Sequence, residues 1–142
     1  MSARRLRALA VAVGVAASIG MTTACDRAPT LEDRDWTLVA LGREPVPEPT
    51  ERGAPYLHLV SENAQMQGFG GCNRIFGSYS LEGSRLEFGP VAGTRMACPD
   101  APAEPGFMAA LAATRTYQLT GSVLLFKDDA AAVARFEAAQ PD

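Results

Sequence analysis

Lysine is nearly missing from these 142 residues: Lys127 stands alone, and arginine supplies the rest of the 13 basic side chains. A Walker-type nucleotide site needs a lysine behind a glycine-rich loop, so that site is excluded. The glycines of GFGGCNR (68–74) do not substitute, because Asn73 takes the third glycine position of a dinucleotide fingerprint and a strand pattern follows instead of a helix. Histidine occurs once, as His58. Zinc would have to combine it with Cys72, Cys98 and a carboxylate, without the closely spaced cysteine or histidine pairs that such sites use. A cysteine nucleophile needs a base within hydrogen-bond reach. His58 is the sole imidazole, and it lies in an alternating stretch where a half-exposed strand histidine is the ordinary case. Cys-x-x-Cys is absent, which removes thioredoxin-like chemistry. Glu82, Glu87, Asp128 and Asp129 fall at turns or strand surfaces, where solvated charge is the ordinary explanation. The expectation is a chain without cofactor, metal or catalytic set.

A membrane-spanning run is also missing. The longest apolar stretch, 8–21, holds 14 residues, short of the ~20 a spanning helix requires. With Arg4, Arg5 and Arg7 ahead of it, the stretch matches the core of a secretory signal peptide. It ends in TTACD (22–26), which resembles a bacterial lipobox, with Thr22 where leucine is usual. The reading is a lipoprotein signal over 1–24, cleaved so that Cys25 carries the lipid. An ordinary signal peptide that leaves Cys25 as a spare thiol is the alternative. Acyl chains contribute ~0.8 kcal/mol per buried CH₂, so two or more hold a protein stably on a membrane. Cleavage leaves 118 residues with 10 basic and 16 acidic groups, a net charge of −6. The basic footprint of a nucleic-acid binder is therefore absent. The expected location is the bacterial cell envelope, lipid-anchored and facing the periplasm or the exterior.

After a polar tether over 25–34, the chain reads as short strands. DWTLVALG (35–42) places Trp36, Leu38 and Ala40 on one face. REPVPEPTERGAP (43–55) contains four prolines, which remove ladder donors, and reads as a loop. YLHLV (56–60) alternates with Leu57 and Leu59 inward. AQMQGFG (64–70) follows as its partner, and Gly68, Gly70 and Gly71 suggest a bulge or bend. NRIFGSYSL (73–81) and RLEF (85–88) form a hairpin about a turn at 82–84. Residues 89–106 read as a long irregular connection. A helix is expected over 104–114, with Pro105 in its first turn and Phe107, Leu111 and Thr114 buried beside Met108. Strands at 115–119, 122–127 and 132–137 complete the chain. The fold class is α+β, a small coiled antiparallel sheet or partial barrel of about seven or eight strands with one packed helix.

If Cys25 is acylated, Cys72 and Cys98 remain. In an oxidising compartment an even remainder most simply forms a disulfide, and a loop of about 26 residues makes it worth roughly 3–4 kcal/mol. Arg74, Arg95 and Glu104 flank that staple, so an arginine–glutamate pair could fix the helix start; three independent surface charges are the alternative.

Four segments in order then carry a resemblance: DWTLVALGREPV (35–46), MQGFGGCNRIFGSYSLEGSRLEF (66–88), VAGTRMACPDAPAEPGFMAAL (91–111) and YQLTGSVLLF (117–126). Together they resemble the META domain, the family of HslJ-like heat-shock lipoproteins, over about 33–137, in a domain bounded at 35–138. The family's Gly-Cys-Asn-Arg falls on Gly71, Cys72, Asn73 and Arg74. Its Thr-x-Met-Ala-Cys falls on Thr94, Met96, Ala97 and Cys98, and its helix-start acid on Glu104. The resemblance implies a coiled antiparallel sheet with one helix, and roles in envelope stress, drug tolerance, motility or secretion without an established reaction.

The expected function is a membrane-tethered, non-enzymatic binding or accessory lipoprotein of the stressed envelope, with an envelope protein or hydrophobic ligand as partner. Its contact surface would be an open sheet edge or the groove between helix and sheet. One alternative is a pilotin-like carrier of lipid or hydrophobic peptide, with Phe107, Met108 and Leu111 around a cavity. Another is a lysozyme inhibitor presenting Glu44, Glu48 and Glu51.

Overall fold

The computed structural model describes residues 30–139. The expected signal peptide over 1–24 and the lipidation of Cys25 lie outside these residues. The strands are β1 (Asp35–Leu41), β2 (Glu44–Pro45), β3 (Tyr56–Val60), β4 (Gln65–Phe69), β5 (Arg74–Glu82), β6 (Arg85–Phe88), β7 (Ala92–Gly93), β8 (Thr116–Thr120), β9 (Val123–Lys127) and β10 (Ala132–Ala138), with one helix, α1 (Ala103–Ala113).

The period-2 patterns place the interior as anticipated. Leu57 and Leu59 of β3, Met66 of β4 and Ile75 of β5 are all at most 2% exposed, because successive strand side chains point to opposite faces. β1 departs from strict alternation. A bulge between Leu38 and Ala40 shifts its register against β10, so Ala40 is only half-buried while Trp36 and Leu38 stay inside.

Antiparallel pairing runs β1–β3–β4–β5–β6–β8–β9–β10, and β10 pairs back onto β1, with Trp36 opposite Ala138 and Leu41 opposite Ala134. The expectation of an open or partial barrel is therefore corrected: eight strands close into a ring. Closure pairs the backbone donors and acceptors that two terminal edges would otherwise leave without partners. It also removes the open sheet edge on which a partner was expected to dock. The thinnest seam is β6–β8, where Arg85 faces Thr116 and the Leu86 and Tyr117 amides donate to Arg115 and Ser84 carbonyls at 2.9 and 3.0 Å. The proline-rich loop contributes β2 to the edge of β1, and the long connection contributes β7, paired to Ile75 and Phe76 of β5. Both were anticipated as irregular, since two-residue pairings carry no periodic signal.

The helix begins one residue before Glu104 and touches β1, β6, β9 and β10, strands from opposite sides of the ring, so it plugs one end. Phe107 and Leu111 are fully buried. Phe107 packs on Phe136 at 5.8 Å between ring centroids, and Phe136 on Phe126 at 4.7 Å, tilted contacts of the favourable kind. Thr114 ends the helix and its hydroxyl donates to the Ala110 carbonyl at 2.8 Å.

The other end is closed by residues that composition had assigned to the tether. Leu31 is buried, and its carbonyl accepts the Trp36 indole N–H at 2.8 Å. Tyr79 donates to the Glu32 carboxylate; burial and then this carboxylate push its phenol well above the usual tyrosine range. Asp33 adopts φ 60° and donates its amide to the Leu59 carbonyl at 2.8 Å. Its carboxylate accepts the Ser61 hydroxyl and amide, which hold it below the ordinary aspartate value.

Candidate functional site

The segment between β4 and β5 gathers nearly every residue that the motif singled out. Gly71 turns the chain with φ 107°, in the region that favours glycine. Cys72 is bonded to Cys98 with their Cα atoms 5.9 Å apart. Both thiols are thereby engaged, so the structure forms neither a Cys72–His58 nucleophile pair nor a cysteine–histidine zinc set. His58 instead meets Asp35 at 2.6 Å on the barrel wall. Among the described residues no three histidine, cysteine or carboxylate side chains are placed to hold a metal ion.

Glu104 reaches from the first turn of α1 into this bend. Its carboxylate accepts the backbone N–H groups of Cys72 (3.2 Å) and Asn73 (2.7 Å) and the Asn73 side-chain amide (2.7 Å). Gly70 makes the approach feasible, since a Cβ there would lie 2.6 Å from the Glu104 side chain. Asn73, 8% exposed, is the hub. Its Oδ1 accepts the Met96 amide at 2.6 Å and the Thr94 hydroxyl at 3.0 Å, and its Nδ2 also donates to the Met96 carbonyl at 3.3 Å. Thr94 Oγ1 in turn accepts the Arg74 backbone amide at 3.1 Å. The chain bend, the 94–98 segment and the helix start are joined through one amide side chain and one carboxylate.

The anticipated arginine–glutamate pair is not formed. Ile75 faces inward, so alternation turns Arg74 outward, and Glu104 is already met by three N–H donors. Among the described residues the arginine–carboxylate ion pair is Arg135–Glu137, and the His58 ring hydrogen-bonds Asp35. Charges near the staple do not announce the neutral hub; Gly70 and Gly71 ahead of Cys72-Asn73 are the sequence signal for a tight bend that receives a side chain from elsewhere.

Chemically, this constellation is a latch. Its polar atoms face each other, and buried side-chain nitrogens and oxygens among the described residues all have partners, as stable interiors require. A closed eight-stranded antiparallel barrel, plugged by one helix that a carboxylate–amide latch and a disulfide tie to the bend after β4, defines the class. The chain belongs to the META domain family, whose model matches residues 29–140. A solved NMR structure of a protein from Burkholderia xenovorans is similar at 29% identity and TM-score 0.64, covering 78% of this chain and 85% of that one. A crystal structure of a DUF4847 family protein from Bacteroides vulgatus shares the fold at 17% identity and TM-score 0.55, covering 77% and 94%. No curated protein matches the sequence.

Proposed function

We propose that this protein is a membrane-tethered, non-enzymatic binding or accessory lipoprotein of the bacterial envelope that serves under stress. The carrying observation is that the motif's polar groups bind one another in the latch, which leaves the outer wall and loops as the surface for contact. The lipobox-like TTACD supports the anchor at Cys25. Proximity crosslinking in living cells under heat or antibiotic, with the anchored chain, should capture envelope proteins in a stress-dependent way. No capture above background, or unchanged membrane fractionation of Cys25→Ser, sinks this reading.

A carrier of lipid or hydrophobic peptide would need space away from Phe107 and Leu111, which fill the core. The groove of about 590 Å³ at the other end, lined by Leu31, Leu81, Tyr117 and Leu119 among others, is where an apolar ligand would sit. Native mass spectrometry without co-purified lipid removes that option. For muramidase inhibition, Glu44, Glu48 and Glu51 are exposed on the proline-rich loop, and a lysozyme assay decides it.

A further inference from the structure

The outer wall of β3–β4–β5 carries a row of aromatic and cationic side chains. Tyr56, Phe69 and Arg74 stand side by side in register on its outward face, with the two rings 6.5 Å apart. Phe76 is 51% exposed two residues along β5, and Met96 is 50% exposed beside the bend; among the described residues these are the large apolar side chains most open to water. Two depressions of about 380 Å³ each flank this row. One is lined by Cys72, Thr94 and Met96, the other by Gly53, Ala54 and Tyr56, and both share Arg52, Phe69 and Arg74. Among the described residues neither guanidinium has an ion-pair or side-chain hydrogen-bond partner.

Two arginines beside Tyr56 and Phe69, without partners among the described residues, in a chain whose overall balance is acidic with pI ≈ 5.2, favour an anionic ligand. A guanidinium meets a carboxylate through parallel N–H donors, and apolar contact beside it excludes water. The geometry points to a docking groove for an extended acidic peptide segment of a partner protein, with one carboxylate at Arg52 and Arg74 and an apolar side chain in each flanking depression. An anionic bilayer fits less well. It would meet the whole negative molecule across a broad face, whereas a short peptide senses only the field within a Debye length of ~8 Å. The surface is also concave on both sides of the arginines. The inference rests on the binding role proposed above.

The test uses the full chain against an array of synthetic hexapeptides with a central glutamate flanked by phenylalanine, leucine, alanine or serine. A matched array has glutamine at the centre, and phosphatidylglycerol vesicles form a separate arm. Glutamate peptides with apolar neighbours should bind best and weaken with salt. Arg52→Gln and Arg74→Gln should each weaken the best binder roughly tenfold, as loss of a charge-assisted bond predicts. Phe76→Ser should weaken it less, and Gln118→Ala, on another strand, should leave it unchanged. Circular dichroism confirms that each variant is folded. Equal binding of the glutamate and glutamine sets, or arginine variants that bind as the parent does, overturns the assignment. So does vesicle binding that the arginine variants abolish while peptide binding stays unchanged. In cells, an Arg52→Gln/Arg74→Gln chain that captures the parent's partners refutes this groove and leaves the binding role standing. A parent chain that captures nothing removes the role itself.

Discussion

Asn73→Asp is the most searching single change, because it keeps the shape of the hub and alters only its chemistry. The Asn73 amide donates to a Glu104 oxygen at 2.7 Å. An ionised aspartate there would set oxygen against oxygen, so the pair must hold a proton between them. A protonated carboxyl can donate to Glu104 where the amide did, and its single proton leaves the longer bond to the Met96 carbonyl unmade at every pH. The folded state therefore binds a proton that the unfolded chain releases near pH 4, at the ordinary carboxyl value. With the folded pKa raised, the variant matches the parent most closely below that ordinary value and loses stability as pH rises toward the shifted one. At 1.36 kcal/mol per pH unit, holding the proton up to pH 7 costs at most ~4 kcal/mol. Partial solvent access to Glu104 reduces the loss, to about 2–3 kcal/mol at pH 7 and under ~1 kcal/mol at pH 4. Trp36, the single tryptophan and fully buried, reports unfolding in urea at each pH with the disulfide intact. Adding Glu104→Gln removes the like charge and should flatten the pH dependence. A penalty that is the same at pH 4 and pH 7 would refute the latch.

Three further outcomes follow from the same structure. Reducing Cys72–Cys98 should lower stability by roughly 3–4 kcal/mol, and maleimide should label neither cysteine until reductant is added. Phe136→Ala removes a ring that is 0% exposed and packed on Phe107 and Phe126; a loss of ~3–5 kcal/mol in urea titration is expected. Asp33 should titrate below its ordinary value in an NMR pH series, since the Ser61 hydroxyl and then the Ser61 amide favour its charged form. Whatever stability that contact brings is present above the ordinary pKa and lost as pH falls through the folded one. Ser61→Ala should move the midpoint upward.

The local architecture was legible wherever a face alternates. Leu57 and Leu59, Met66, the 82–84 turn and the Phe107–Leu111 stripe each declare themselves within a few residues, because burial imposes the strand or helix period on the side chains involved. Joining β1 to β10 was not legible, since nothing in 35–41 names residues about a hundred positions away as its neighbour. The latch was half legible. The Cys72–Cys98 pair follows from counting thiols in an oxidising space, and the glycines announce a bend. The choice of Asn73 over Arg74 as the partner of Glu104 depends on which face of β5 the bend delivers inward. Residues 31–34 look like a polar tether because Glu32, Asp33 and Arg34 outnumber Leu31, yet Leu31 and its carbonyl decide their place.

Because the first and last long strands lie against each other, the beginning and end of the domain are neighbours, with Trp36 beside Ala138. A short linker could therefore splice them. New termini could be opened at the exposed Gly83 or Gly121 turn, as tolerated permutations usually are. The same adjacency means that a nascent chain cannot seal its barrel until the final seven residues of β10 arrive, so truncation there should leave a product unable to mature, however complete the rest.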